Sequence, residues 1–518
     1  MNVTRMLEWA SDNFAERTAF SAAEQQLSFG ELDERANRLA RSLRDLGVRK
    51  GDRVAVVVGN RPEYVEAEVA IAKLGAVRVP ILIRSSTEDL VAMLEFSDAV
   101  AAIVSAEALE ALREAVPRVA AEIAVVVVGE AVRDGEHAYE NLVAAGDPAR
   151  LGVELSGDDL YALRFTGGTT GRPKGVLLSH RSMSTAISNM LINWPVEEDD
   201  VAAHFHPLSH AAGFMMYAWY MRGARQEIMP SFNFKPEALL ETIQRERVTA
   251  MFMIPTVLNV LLDSNLLGRY DTSSVRTIIY GGAPPPLKRI RQGLDAFGPV
   301  FVQLYGTSEA PNVLTVLHRE EHVFEGEPPP RMRSAGRVGF GVEVRVVDED
   351  GQQCPPGEVG EIISRGDHTL VRYWKDPELT AERLVDGWLH TRDMGRLDED
   401  GYLYIVDRKD DMIISGGFNI WPAEVEDVLY VHGDIVEAAV FGVEDDKWGE
   451  RVVAAICLRE GAAFGEEAVK DYVCERIARY KAPKEVWLRD AEIPKSPVGK
   501  PLRRLVREEF AARTAGAA

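Results

Sequence analysis

The stretch FTGGTTGRPKG, Phe165 to Gly175, sets four glycines, three threonines and one lysine within eleven residues. Glycine this dense cannot hold a helix or strand interior, so the stretch is a loop. Backbone amides cluster where glycine relaxes the dihedral limits, and such clusters take up anions. Thr166, Thr169 and Thr170 add hydroxyl donors and Lys174 adds a point charge; with Gly167, Gly168 and Gly171 they suit a polyphosphate. The plain alternative is a glycine-rich surface turn. The phosphate loop of P-loop kinases and ATPases is not present, because Lys174 is followed by Gly175 and not by Ser or Thr.

Other chemistry-bearing residues stand where short apolar runs stop. YGGAPPP puts Gly281, Gly282 and Ala283 after the run VRTIIYGG, and two glycines let backbone approach a flat ring closely. YGTSEA puts Tyr305, Gly306, Thr307 and Glu309 after PVFVQLYG. Ligand sites in open α/β sheets lie beyond strand carboxyl ends. HTRD ends in Asp393, a carboxylate able to accept from two hydroxyls at once. DRKDD carries Arg408 and Asp410, and Lys500 stands in PKSPVGKPLRR.

These residues need elements to hold them. ELDERANRLARSLRDLG (31–47) has apolar spacings of three and four and ends on glycine, which predicts a capped helix. RVAVVVG (53–59), VTAMFMIP (248–255) and the runs above predict short buried strands. The alternation predicts α/β layers with largely parallel sheets. From about Gly336 turn signals come every few residues and side chains alternate, which predicts a small antiparallel β region. After Asp410 a compact α+β tail is expected: strands in DIVEAAVFGV, ERVVAAICL and KEVWLRD, and a helix through EEAVKDYVCERIARY. The predicted organisation is a domain over 1–409, with its β-rich part at about 336–409, and a second over 410–518.

A chain of 518 residues is too long for one core. With 81 acids against 59 bases, its formal net charge of -22 argues against nucleic acid or anionic membrane as partner. Cys354, Cys457 and Cys474 make no CxxC pattern, which fits a reduced, cytoplasmic setting. Glu8 and Asp12 break the place where a signal peptide has its apolar core, and no apolar run approaches a membrane span.

FTGGTTGRPKGVLLSH resembles the signature of the adenylate-forming superfamily, which includes acyl- and aryl-CoA synthetases. LSFGELDERANRLARSL, LGAVRVP, HPLSHAAGF, YGGAPPP, YGTSEA, the long run from GWLHTRDMG to WPAEVE, and PKSPVGKPLRR resemble its further motifs in the same order. The resemblance implies activation of a carboxylic acid by ATP and Mg²⁺ to an acyl-AMP with release of pyrophosphate, then transfer to a thiol, commonly that of CoA. It implies a large N-terminal domain and a mobile C-terminal one.

The resemblance also implies roles. Thr166 to Gly175 would hold the β- and γ-phosphates, although many members have Ser where Gly167 stands. Thr307 would contact phosphate and Glu309 would orient Mg²⁺. Gly281, Gly282, Ala283 and Tyr305 would border adenine, Asp393 the ribose, and Arg408 the ribose and phosphates. Lys500 would bridge substrate carboxylate and α-phosphate. Asp410 matches the pivot of the mobile domain. Gly416 and Gly417 would line the thiol tunnel, with Trp448 and Tyr480 toward the nucleotide end of CoA, where core packing is an equal alternative.

For the acid, His210 matches a position beside the acyl carbonyl, and a packed core histidine is the alternative. Phe205, His206, Phe214 and Gln303 would line a pocket whose aromatic, sulfur-rich surroundings suit an apolar or aryl chain. The stretch HFHPLSHAAG holds no acid to pair an ammonium, which argues against an amino acid as substrate. The leading expectation is an acid–CoA ligase. A stand-alone enzyme loading a carrier-protein thiol and a non-catalytic nucleotide-binding regulator are the alternatives. Among assemblies, a homodimer is slightly favoured.

Overall fold

The structure is a computed structural model that describes residues 1–23, 25–129, 132–166, 174–231, 234–283, 286–462, 464–495 and 501–515. The chain divides into two compact units. The first comprises Met1–Gly282, Arg291–Val344 and Ser364–His390; the second comprises Ala283–Ile290, Arg345–Ile363 and Thr391–Ala518.

In the first unit the strands Thr18–Ala22, Arg225–Ile228, Val201–His204, Ala250–Met253, Thr277–Gly281 and Phe301–Tyr305 lie side by side and parallel within a nine-stranded sheet. Their short apolar sequences follow from burial: every residue of Ala250–Met253, Thr277–Gly281 and Phe301–Tyr305 is buried. Parallel register aligns their carboxyl ends, with Met253 opposite Tyr280 and Tyr280 opposite Gln303. The loops carrying His206 and His210, Gly282, and Thr307 and Glu309 therefore leave the sheet at one edge.

An eight-stranded sheet completes the first unit's framework, in the order Arg372–Tyr373, Lys174–Ser179, Leu160–Thr166, Val77–Pro80, Arg53–Val57, Ala99–Ser105, Ala124–Val128, His137–Ala138. Its core is Val-, Ile- and Leu-rich. The helix expected at 31–47 spans Phe29–Asp45, fixed at its start by a capping box of Ser28 and Glu31, with Gly47 in the left-handed region just past its end.

The strand Trp388–Leu397, which lies in the second unit from Thr391 on, forms an antiparallel hairpin with Leu403–Arg408, with Asp393 opposite Arg408. The expected tail strands appear as Ile435–Asp445, Gly449–Leu458 and Glu485–Arg489. They share a sheet with the small hairpin Ile413–Ser415 and Phe418–Ile420. The helix expected through Tyr480 is shorter, Glu466–Cys474, because the chain turns at Arg479–Lys481 to reach Pro483. A further helix, Arg503–Ala515, was not expected; its Val506 and Phe510 bury against Phe441 and Val453. The last of the changes of unit along the chain falls between His390 and Thr391, and the hairpin pairs Asp393–Leu397 with the strand that leads into the tail. Among the described residues no helix is long and apolar enough to cross a membrane.

Candidate active site

Thr166 and Lys174 face one another as the last and first residues of paired strands, so they form the base of the glycine loop. Gly167, Gly168, Thr169, Thr170 and Gly171 lie outside the described residues, as does Lys500. Arg164 is opposite Val176, and Val176 is opposite Tyr373. Residues directly paired across strands share a face, so Arg164 and Tyr373 flank Val176 on one side of the sheet.

Glu309 meets that row. The Tyr373 hydroxyl donates to Glu309 Oε1 at 2.9 Å, and the Leu370 amide donates to the Glu309 carbonyl at 2.7 Å. Burial, reinforced by the nearby Glu309 charge, holds the Tyr373 phenol well above its usual pKa, so it stays a donor. Thr307 shapes the loop: its hydroxyl accepts from the Ala310 amide at 3.1 Å, and its own amide donates to the Ala310 carbonyl at 3.1 Å. Arg164 is a buried cation with Cζ 4.1 Å from the Phe214 ring centroid. Burial, then the charge of Arg78, brings its pKa down to about 10, while Glu309 acts in the opposite sense.

Among the described residues no group of three acids or thiols forms a cation cage. A hard cation that keeps waters and phosphate oxygens needs only one or two carboxylates. Glu309 fits that requirement, since Tyr373 fixes one oxygen and no described residue bonds the other.

At the neighbouring strand ends, Tyr280 donates to Gln303 Oε1 at 3.2 Å and contacts His322 Nε2 at 2.9 Å. Gln303 and Tyr305 are buried. Gly281 is where a side chain has no room: a Cβ there would lie 2.7 Å from the Leu304 carbonyl. Phe205, His206 and Phe252 form a ring cluster, with centroids 4.6 and 5.4 Å apart in that order, and Ile254 N donates to His206 Nε2 at 3.4 Å. Burial lowers the His206 pKa to about 3, so the ring is neutral. His210 is the N-cap residue of the helix Ala211–Met221 and is half-buried. Phe214, expected in the pocket, is buried between Arg78 and Arg164, with guanidinium carbons at 4.3 and 4.1 Å from its centroid.

Gly282 and Gly306 also belong to the first unit, while Ala283, Asp393, Arg408, Asp410, Gly416, Gly417, Trp448 and Tyr480 belong to the second. Arg408 Nε lies 2.9 Å from Asp393 Oδ1, and Asp393 is buried while half of the Arg408 side chain is exposed. Asp410 pairs with Arg392 in the short turn Lys409–Asp411. Gly416 and Gly417 form the turn of the small hairpin with φ of 60° and 82°, the conformation that two-residue turns require. The Gly416 amide donates to the Trp448 carbonyl at 2.7 Å, and the hairpin carries Phe418 to 4.6 Å from the Tyr480 ring. Phe418, Trp448 and Tyr480 are all more than a third exposed. Lys484 Nζ lies 5.6 Å from the Trp448 ring, whereas Lys481 is bound to both oxygens of Glu424.

The order of the motifs and the fold that carries them match one family. The model of the AMP-binding enzyme matches residues 7–374, and that of the AMP-binding enzyme C-terminal domain matches 424–500. The chain belongs to the AMP-binding enzyme family. The resemblance read from the motifs is borne out. A feruloyl-CoA synthase of an Amycolatopsis species is 37% identical over 486 residues, covering 93% of this chain and 94% of that protein. Of solved structures, the amide bond synthetase McbA from Marinactinospora thermotolerans superposes with a TM-score of 0.88 at 29% identity, over 98% of this chain and 99% of that one. The anthranilate CoA ligase AuaEII in complex with anthranoyl-AMP gives 0.89 at 26% identity, over 100% and 98%.

Tyr373, Arg164 and Phe418 were missed in the sequence. Tyr373 and Arg164 sit in strands and touch the site through partners distant in the chain. An arginine inside the apolar run LYALRFT was the one available signal.

Proposed function

We propose that this ATP-dependent acid–CoA ligase takes an aromatic carboxylic acid, with a hydroxycinnamate as its leading candidate. The reading is supported by the ring cluster of Phe205, His206 and Phe252 and by likeness to the feruloyl-CoA synthase. The observation that carries the catalytic part is the row Arg164, Val176, Tyr373, which ties Glu309 to the base of the glycine loop.

The reaction joins two anions, so positioning and charge neutralisation dominate. Thr166, Lys174 and the glycine loop grip the β- and γ-phosphates. Thr307 contacts phosphate, and Glu309, held by Tyr373, would hold Mg²⁺; the metal would neutralise phosphate charge. Gly281, Gly282, Ala283 and Tyr305 border adenine, with Asp393 and Arg408 on the ribose. Lys500 brings its ammonium to the substrate carboxylate and α-phosphate. A carboxylate oxygen attacks the α-phosphorus and pyrophosphate leaves; the CoA thiol, losing its proton, then attacks the acyl carbon of the acyl-AMP and AMP leaves. Gly416 and Gly417 border the thiol's path, and Trp448, Tyr480 and Lys484 contact the nucleotide end of CoA. Residues 1–409 act as the acid- and ATP-binding part, with 410–518 pivoting at Asp410.

The test is a panel of cinnamic, benzoic and fatty acids, scored by pyrophosphate release with and without CoA and by thioester formation. Hydroxycinnamates are expected to give both. Pyrophosphate release independent of any acid would overturn the reaction, and preference for saturated long chains would overturn the substrate class.

A further inference from the structure

Asp407 lies in the strand Leu403–Arg408, three residues before Asp410. Its side chain is 5% exposed and both of its oxygens are bonded. Oδ1 accepts from Arg503 Nη1 at 2.9 Å and from the Arg408 amide at 2.8 Å; Oδ2 accepts from the Ala423 amide at 2.7 Å. Ala423 lies in the first turn of the helix Pro422–Tyr430, whose own N-cap, Trp421, makes no side-chain bond. Asp407 thus satisfies an orphan amide of a helix that is not its own, and sets a negative charge at that helix's positive end.

Arg503 opens the last helix and is held elsewhere too. Its Nε and Nη2 donate to Glu426 at 2.9 and 2.6 Å, and Nη1 donates to Asp411 at 2.9 Å. These bonds sort into two groups about Asp410. Asp411, Ala423, Glu426 and Arg503 follow it in the chain, and Asp407 precedes it.

We propose that Asp407 is a positioning residue that latches the tail module in one of the two poses its two half-reactions need. Rotation about Asp410 leaves Arg503 bound to Glu426 and Asp411 but strips Asp407 of Arg503 and of the Ala423 amide. The guanidinium is never stranded without a carboxylate, so the latch opens without leaving an unpaired buried cation. Just before the helix that Arg503 opens, Leu502 N donates to the Pro494 carbonyl at 2.8 Å and Lys495 bridges to Pro501, and Lys500 lies between these pairs in the sequence. The proposal rests on reading Asp410 as the pivot.

The full chain is tested in two assays: pyrophosphate release from acid and ATP, and thioester formation from supplied acyl-AMP and CoA. Asp407→Asn should change the ratio of the two rates by about 10-fold, one falling while the other holds or rises, the size of a typical coupling between states. Arg503→Lys, which keeps the charge but loses the fork, should move the ratio in the same direction and serves if Asp407→Asn does not fold. Glu426→Gln breaks a bond on one side of the pivot only and should lower thermal stability with the ratio unchanged. Equal loss in both assays, or an unchanged ratio in both latch variants, overturns the latch. Asp410→Pro separates the readings: wild-type rates in both assays would remove the pivot itself, whereas a block in one assay beside an unchanged Asp407→Asn ratio would remove only the latch.

Discussion

The Tyr373 hydroxyl donates to Glu309 Oε1 at 2.9 Å, and this bond joins the edge strand of one sheet to the loop that leaves another. A hydrogen bond to a charged group contributes about 1.5–3 kcal/mol. Tyr373→Phe leaves the ring packed and removes only that donor. It should lower kcat/KM for pyrophosphate release by about 10- to 100-fold, the rate equivalent of that energy. In a Glu309→Gln background the same substitution should cost little, because the two residues act as one unit. A double-mutant cycle with Mg²⁺ titration checks this, and full additivity would separate Tyr373 from Glu309.

Asp393 and Arg408 are cross-strand partners, with Arg408 Nε 2.9 Å from Asp393 Oδ1. The guanidinium occupies one carboxylate oxygen and orients the other. Asp393→Ala should raise KM for ATP by about 10-fold or more while KM for the acid holds, since the proposed ribose contact of this buried carboxylate lies on the nucleotide side alone. Steady-state kinetics varied in each substrate would show it, and a matching rise in the acid KM would contradict the assignment.

The residues whose types stood out in the sequence sit mostly at strand ends and turns, Glu309 and Thr307 after a buried strand and the paired glycines at 281–282 and 416–417, whereas Asp393 of HTRD lies inside a strand. The positions of the strands followed from short apolar runs stopped by glycine or proline, whereas their order in the sheets is set by pairings distant in the chain. What escaped was pairing. Tyr373 reads as one more β-forming aromatic until the fold sets it beside Glu309, and nothing in the sequence announces that Arg78 and Arg164 lie against the Phe214 ring. Asp407 and Arg503 are 96 positions apart, and no periodicity joins them. The helical pattern of EEAVKDYVCERIARY continues past Cys474, where the observed helix ends because tertiary packing turns the chain.

Five imidazoles of the first unit titrate low because they are buried: His180, His204, His322 and His368 at about 4, and His206 at about 3. The unfolded chain takes up these protons near pH 6.5 and the folded chain does not. Below that pH the unfolded state binds more protons, so stability falls as pH drops from about 6.5 toward 4. Each ring withheld from protonation over that whole span contributes up to about 3 kcal/mol at pH 7. His368 is fully buried, and among the described residues neither of its ring nitrogens has a hydrogen-bond partner. His368→Phe should therefore flatten the dependence by about one proton in urea unfolding between pH 5 and 7. An unchanged slope would show that His368 is protonated in the folded state.

Gly416 stands at φ 60° in a two-residue turn, and a Cβ there would lie 3.0 Å from Trp448 Cε3. Gly416→Ala would meet strain twice, from a left-handed dihedral and from the indole, at roughly 1–2 kcal/mol for the dihedral. The hairpin would shift against Trp448 and move Phe418, which lies beside Tyr480. These are the exposed aromatics proposed to receive CoA, and none belongs to the phosphate or acyl groups of the first unit. Gly416→Ala should therefore raise KM for CoA and slow thioester formation by about 10-fold, the rate equivalent of 1.4 kcal/mol, while pyrophosphate release from acid and ATP in a single turnover is unchanged. The two rates are measured on the same preparation by quenched flow. A loss confined to pyrophosphate release would move this hairpin from the thiol's path to the first half-reaction.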